Sequence, residues 1–331
     1  MKVLVTGASG FLGGHLIDEL VKRGYRVRGM VRNPAKAGRL RELGVEVSQG
    51  DLTLHDTLYS VVKEVDVVVH LAAYYTFVGS KKLYRLVNVE GTRALAEASL
   101  KAGVRRFIYC STTEAIGPVR NPPGDELTPP NPQFEYGRSK LMAEEVVRSL
   151  GSKGLDYTIV RPSGIYGPRN VDDVAYWFIM NVAKGGVFSK FMVGSGDYLV
   201  QFTHVKDVVQ GFTLVLENPE ISSRQTYIIS DENAYTYRDV YQILAELLDK
   251  EPPKHVIHPT LAKGLLAFTE IYDRLRGGDN LMLRMKVVDA VTTHRAYKID
   301  KAKRELGYRP QYDLRRGLRD TIKWYRDNGY L

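Results

Sequence analysis

KVLVTGASGFLGGHLIDELVKRG, residues 2–24, is the stretch that decides the fold. Lys2–Thr6 is an apolar run of strand length. Gly7, Gly10 and Gly13 follow at once, with Ser9, Phe11 and Leu12 between and beside them. His15, Leu16, Ile17, Leu20 and Val21 then recur at helical spacing, and Gly24 ends the run. A strand that feeds a glycine turn and then a helix brings backbone amides and the positive end of a helix dipole to one point. Glycines there let a phosphate approach the backbone closely. A plain tight turn would not need the strand before it and the helix after it.

Outward from this turn, strand-length apolar runs recur at Tyr25–Val31, Val45–Gln49, Asp66–Leu71, Arg106–Cys110 and Tyr157–Arg161. Helical spacing fills Leu83–Ala102, ended by Gly103, and Tyr136–Leu150, ended by Gly151. Strands alternating with helices predict an α/β fold: a doubly wound parallel sheet of Rossmann type, covered on both faces. The pattern changes near Gly167, where Gly185-Gly186 and Gly194–Gly196 break the chain into short pieces. Residues 1–165 are therefore assigned to the nucleotide-binding domain. Residues 166–331 are assigned mostly to a smaller C-terminal substrate lobe, with a strand–helix segment near 200–216 returning to the first domain. Ile257–Val291 reads as amphipathic helices interrupted by Gly277-Gly278, and Ile257–Gly277 as a lid or core helix of the lobe, with contact to a membrane or a lipid-like substrate as the alternative.

Composition narrows the function. The 331 residues are 44% apolar and hold one cysteine, Cys110, so no internal disulfide forms and a reducing, cytoplasmic setting is expected. No secretory signal precedes the glycines, and no apolar run is long enough to span a bilayer. The net charge is +9, but the cations are scattered among 38 acids rather than gathered in a stripe. That argues for a solvated basic surface and against nucleic-acid binding. The seven histidines lack metal-ligand spacing, so no metal site is predicted.

Three further features carry chemistry. Where a dinucleotide fold commonly places an acid for NAD, the chain reads Val31-Arg32-Asn33-Pro34. A guanidinium there suits a 2′-phosphate, which predicts NADP, with NAD as the alternative. Tyr136 and Lys140 share one helix face, and a lysine beside a phenol stabilises its anion. Ser111, Thr112 and Thr113 end a strand at the edge of the sheet where ligands gather.

These motifs resemble the extended short-chain dehydrogenase/reductase superfamily, which contains NAD-dependent epimerases and dehydratases, dihydroflavonol reductases and 3β-hydroxysteroid dehydrogenases. The match runs through Thr6–Gly13, Gly50-Asp51-Leu52, His70–Ala73, Asn88–Thr92, Ser111–Thr113, Tyr136 with Lys140, and Arg161-Pro162 leading into Tyr166-Gly167-Pro168. The resemblance implies that Tyr136 is the acid/base, that Lys140 tunes it and holds the nicotinamide ribose, and that Thr112 orients the substrate, with Ser111 as a substitute. It implies Asp51 and Leu52 beside the adenine, Leu71, Ala72 and Ala73 along the nicotinamide-ribose side, Asn88 as a brace, and Pro162 and Ser163 at the nicotinamide. It also implies a homodimer through the helices around Leu83–Ala102 and Tyr136–Leu150.

One departure bears on the substrate. Nucleotide-sugar members carry an arginine a few residues before the retained His204-Val205 and Asp207, to clamp a diphosphate, and Val200 stands about there. Arg161, Arg169 and Arg295 are the other candidates for that task. Tyr74, Tyr75, Phe77, Tyr166, Tyr176, Trp177 and Phe178 are candidates for an aromatic site lining. The expectation is an NADP(H)-dependent carbonyl reductase or alcohol dehydrogenase of a small molecule. A nucleotide-sugar epimerase or dehydratase is the alternative. A redox-sensing binding protein without chemistry fits less well, because tyrosine and lysine are both present.

Overall fold

The computed structural model of the protein describes residues 1–76, 79–171, 174–185, 187–275 and 285–331. Phe77, Gly186 and Gly277-Gly278 lie outside the described residues. The central sheet is built from β1 (Lys2–Thr6), β2 (Arg26–Val31), β3 (Glu46–Gln49), β4 (Val67–His70), β5 (Arg106–Cys110), β6 (Tyr157–Pro162) and β7 (Gln225–Ile229). Every pairing is parallel, and the spatial order is β7-β6-β5-β4-β1-β2-β3. The strand order runs outward in opposite directions from β1 and β4. The crevice between their carboxyl ends is the switch point where such sheets take ligands.

The longer helices are α1 (Phe11–Lys22), α2 (Gly91–Lys101), α3 (Glu135–Gly151), α4 (Val174–Lys184), α5 (Val205–Glu217), α6 (Tyr237–Leu248), α7 (Pro259–Leu275) and α8 (Leu314–Asp327). Strand alternation sorts the sheet's side chains between them. Val3, Val5, Val67 and Val69 face Leu16, Ile17 and Leu20 of α1 and Val208, Phe212 and Val215 of α5. Leu4, Val68, Phe107 and Ile159 face Leu95 and Ala96 of α2 and Ala143, Val146, Val147 and Leu150 of α3. A third core forms the C-terminal lobe, where α4, α6 and α8 bring Ile179, Tyr241, Leu244, Leu318 and Tyr325 together.

Two local differences from the sequence reading have physical causes. The stretch expected as one helix over Leu83–Ala102 winds as a wide π-helical turn over Tyr84–Glu90 before α2 begins at Gly91. That widening leaves the apolar spacing nearly intact, so it is invisible in the sequence. It coincides with Asn88, which is 1% exposed. Near residues 200–216, helix α5 packs on the sheet, but the strand that joins the sheet is the later β7. The short pieces Leu199–Val200 and Phe202–His204 pair instead with Tyr235–Thr236 and Gly164–Tyr166.

A buried ionic clamp fixes α3 to the sheet. Glu144 has no exposed surface, and it accepts from Arg161 Nε at 2.8 Å and Arg161 Nη2 at 2.7 Å. Ser111 Oγ donates to it at 2.5 Å and Arg148 Nη2 at 2.8 Å. Burial alone would push this carboxyl up, but Arg161, Ser111 and Arg148 together hold it below the usual carboxylate range. Breaking such a pair strands the partner's charge away from water. Glu144→Leu is therefore expected to destabilise the fold by about 3–5 kcal/mol in urea denaturation. Glu144→Leu with Arg161→Met should recover most of that loss. A single variant as stable as the wild type would show that the clamp does not hold α3.

Candidate functional site

The glycine turn is shaped by contacts that no side chain could survive. A Cβ on Gly13 would lie 2.1 Å from the Gly7 carbonyl oxygen. Gly7 itself has φ +68°, and a Cβ there would sit 3.0 Å from the Ala72 amide nitrogen. Gly10 is the N-cap of α1, and no side chain caps that turn. The first-turn amides near Phe11, Leu12 and Gly13 are thus left for an anion, with the helix dipole behind them. This backbone cradle fits the pyrophosphate of a dinucleotide. Ser9 is exposed beside it.

A chain of hydrogen bonds positions the facing wall. The amides of Leu71 and Ala72 both donate to Thr6 Oγ1 at 3.1 Å, so the Thr6 hydroxyl donates in turn to His70 Nδ1 at 2.7 Å. That leaves His70 Nε2 as the donor to Thr92 Oγ1 at 3.0 Å, and Thr92 donates to the Asn88 carbonyl at 2.7 Å. Burial, with the nearby Lys140 charge, pushes the His70 imidazole down to about 3, so the ring is neutral as this tautomer requires. Asn88 closes the chain: its amide oxygen accepts from Tyr74 N at 2.7 Å, and its nitrogen donates to Tyr74 O and to Ser139 Oγ of α3. Leu71, Ala72 and Ala73 are held at the end of β4 by this network.

Tyr136 lies in the first turn of α3, one residue before Gly137. A Cβ on Gly137 would be 2.3 Å from the Glu114 carbonyl oxygen. The missing side chain lets the start of α3 rest directly on the segment that follows β5, and Tyr136 and Thr112 line the same cavity. Tyr75 packs edge-on against the Tyr136 ring at 4.9 Å. One turn along, Lys140 is 2% exposed, with its ammonium 4.3 Å from the centre of the Tyr109 ring. Burial lowers the Lys140 pKa to about 8, partly offset by Cys110 and Glu144. The two strand-end hydroxyls separate here. Ser111 is committed to Glu144, whereas Thr112 Oγ1 accepts from Glu114 N at 3.2 Å and keeps its proton for another acceptor.

These groups open onto one cavity of about 880 Å³. Phe11, Leu12, Leu71, Ala73, Thr112, Tyr136, Pro162 and Ser163 line its inner end. The C-terminal lobe lines the rest, through residues such as Val200, Phe202, Tyr237, Tyr241 and Leu244. Of the aromatic candidates, Tyr75, Tyr166 and Phe178 line the cavity. Tyr74 packs against Tyr84, and Tyr176 packs against Trp177 and Tyr325. Tyr84, Phe134, Tyr237, Tyr241 and Tyr297 also line it and were not singled out in the sequence, because each belongs equally to an ordinary core pattern.

The remaining candidates sit as follows. Arg32 is exposed directly after β2, and Asp51 follows β3 with its carboxylate holding Thr53. Leu52 is 4% exposed and packs under Gly91. The Ser163 hydroxyl is taken up by Thr203 at 2.5 Å and Ser230 at 2.7 Å. None of the three arginines considered for a phosphate is uncommitted. Arg161 grips Glu144, Arg169 bonds Asp18 and His15, and Arg295 bonds Glu114, Ala290 O and Gln133.

The model of a family described as NAD dependent epimerase/dehydratase matches residues 3–230. A 3β-hydroxysteroid dehydrogenase/Δ5→4-isomerase of Mycobacterium tuberculosis is 30% identical over 340 residues, covering 98% of this chain and 90% of the relative. The crystal structure of gox2253 superposes with a TM-score of 0.83 at 31% identity, over 100% of this chain and 99% of that one. The dTDP-glucose 4,6-dehydratase DesIV of Streptomyces venezuelae, solved with NAD and TYD bound, gives a TM-score of 0.79 at 26% identity, over 100% and 98%.

The buried Lys140 cation costs the fold stability at neutral pH, because the unfolded lysine keeps its proton to a higher pH, about 10.4. In cofactor-free protein, Lys140→Met is expected to raise stability near pH 7 by about 2–3 kcal/mol. The gain should be full below about 8, where wild-type Lys140 is charged, and should shrink as pH rises from there toward about 10. Thermal melts at stepped pH read this directly. A variant that is less stable at pH 7 contradicts it.

Proposed function

The chain belongs to the NAD-dependent epimerase/dehydratase family, and from that premise we propose that it is an NADP(H)-dependent oxidoreductase interconverting a carbonyl and an alcohol on a bulky, apolar small molecule. The observation that carries this reading is the apolar cavity of about 880 Å³ that runs from Tyr136 into the C-terminal lobe. Beyond the end assigned to the nicotinamide, its walls in the C-terminal lobe are apolar, which suits a bulky apolar substrate. Val200 lines it where a diphosphate would need a cation. The Mycobacterium tuberculosis relative is a dehydrogenase of a hydroxysteroid, a molecule of this class.

In this reading the amides of the glycine turn hold the pyrophosphate, and Arg32 takes the 2′-phosphate that separates NADP from NAD. The bound nicotinamide supplies or accepts the hydride. Tyr136 gives its phenolic proton to the substrate oxygen as the alcohol forms, and takes it back in the reverse direction. The α3 dipole and the Lys140 cation one turn away stabilise the phenolate. Thr112 donates a hydrogen bond to the same oxygen. Apolar walls exclude water and strengthen each of these interactions. The reading also includes a homodimer through the outer faces of α2 and α3, where Met142 is exposed, and a cytoplasmic setting.

The likeness to DesIV keeps a nucleotide-sugar reaction as the second reading. The carboxylate partners of Arg161, Arg169 and Arg295 and the valine at 200 count against it.

Titration of cofactor-stripped protein with NADPH and NADH tests the cofactor. NADPH should bind more tightly, and Arg32→Ala should weaken it by about 10–100-fold while leaving NADH unchanged. NADPH oxidation with bulky apolar ketones tests the chemistry. Tyr136→Phe should lower kcat by about 10²–10⁴-fold with the NADPH Kd nearly unchanged. An unaltered rate removes Tyr136 from its role. Conversion of a nucleotide sugar with no net change in NADPH absorbance puts the second reading first.

A further inference from the structure

Helix α7 carries two apolar faces, and one of them is largely exposed. Ala262 and Leu266 are 4% and 7% exposed and pack with Val288, Val193 and Ile257. On the outside, Leu261, Leu265, Phe268 and Tyr272 follow one another at i, i+4, i+7 and i+11, which is a single stripe. They are 60%, 55%, 78% and 56% exposed, and Ile271 beside them is 59% exposed. A core helix buries such residues. Here large apolar side chains face water together, which in folded proteins marks a contact surface.

Two observations identify what covers it. The first is the cavity mouth. Phe191, Val256, Leu261 and Leu265 line the cavity and are also among the exposed apolar residues. The cavity therefore reaches the surface within the patch. A protein partner seated there would seal the opening, whereas a bilayer presents apolar molecules to it. The second is charge. The chain carries +9, so a second copy brings like charge and an anionic lipid surface brings opposite charge. Lys286 lines the cavity and is exposed, and Lys254, in an exposed pair with Glu251, lies two residues before Val256. Among the described residues no helix is long and apolar enough to cross a membrane, so the contact is interfacial.

We propose that the outer face of α7 is a docking surface for an anionic lipid bilayer, laid against the acyl boundary so that the cavity mouth opens onto the membrane. Phe268 and Ile271 enter the apolar layer, and the lysines meet the headgroups. The role of the mouth as a substrate entrance rests on the apolar-substrate reading above. The docking itself does not, and it is measured without turnover.

The test is co-sedimentation of the full chain with vesicles of phosphatidylcholine alone and of phosphatidylcholine mixed with phosphatidylglycerol. Binding is expected with the anionic vesicles and should weaken as salt rises. Phe268→Glu with Ile271→Glu should reduce it at least tenfold, with the NADPH titration unchanged as the measure of an intact fold. Three results overturn the proposal: no sedimentation with anionic vesicles, sedimentation that the double substitution leaves intact, or self-association in size-exclusion chromatography that the substitution abolishes while vesicles bind neither form. Failure of NADPH or ketone turnover, with vesicle binding retained, counts against the catalytic reading alone.

Discussion

Backbone lying directly on backbone at the carboxyl edge of the sheet is the constraint on which the site depends. Three such approaches meet there: Gly13 on the Gly7 carbonyl, Gly7 on the Ala72 amide, and Gly137 on the Glu114 carbonyl. Each joins segments that are distant in sequence or that turn sharply, and none leaves room for a Cβ. A glycine inside a helix costs roughly 0.5–1 kcal/mol relative to alanine, so Gly13 and Gly137 weaken α1 and α3 locally. In return the anion cradle, the wall after β4 and the first turn of α3 come close enough to act on one molecule. The arrangement is rigid because main chain, unlike a side chain, has no rotamer by which to yield.

Within α3 two charges one turn apart are treated in opposite ways. Glu144 is given Arg161, Arg148 and Ser111, and it holds the helix in place. Lys140 is given the face of Tyr109, and burial lowers its proton affinity. A lysine locked to a carboxylate would be electrostatically spent. A lysine over an aromatic ring keeps its field, which in the proposed reading acts on the Tyr136 phenolate. Fold stability and site chemistry are thus divided between neighbouring turns of one helix. The His70 relay adds the same rigidity on the opposite wall without any charge, because burial keeps its ring neutral.

The sheet was legible in the sequence because most of its first six strands are rich in apolar residues and bounded by turns, β3 with the sequence EVSQ being the exception, and because the glycine turn after β1 follows from local spacing. The seventh strand, Gln225–Ile229, lies beyond the point where the strand–helix alternation breaks, and it finds its place by pairing with β6, which no local pattern encodes. The same limit applies to the site. Sequence left Ser111 and Thr112 as rivals, and the difference in their hydrogen bonding comes from Glu144, which holds Ser111 and lies more than thirty residues away. It offered Arg161, Arg169 and Arg295 as phosphate ligands, but whether an arginine is free is decided by its tertiary partners. The π-helical turn that carries Asn88 is hidden for a related reason: one extra residue per turn barely disturbs an apolar period.

The C-terminal lobe obeys a different economy from the sheet. Its helices line a large apolar cavity next to Tyr136, although close packing of Tyr237, Tyr241 and Leu244 against α4 shows that the lobe is able to make a dense core. A large apolar cavity gives up dispersion contacts within the protein, and an outward-facing apolar stripe on α7 gives up the stabilisation that burial would bring. Neither feature helps the chain to fold. Both become intelligible if the molecule that fills the first arrives across the second. A solute that is poorly soluble in water is scarce in water, so a water-excluding site gains little from an aqueous entrance. A mouth rimmed by Phe191, Val256, Leu261 and Leu265 instead keeps the apolar environment continuous from the surface to Tyr136.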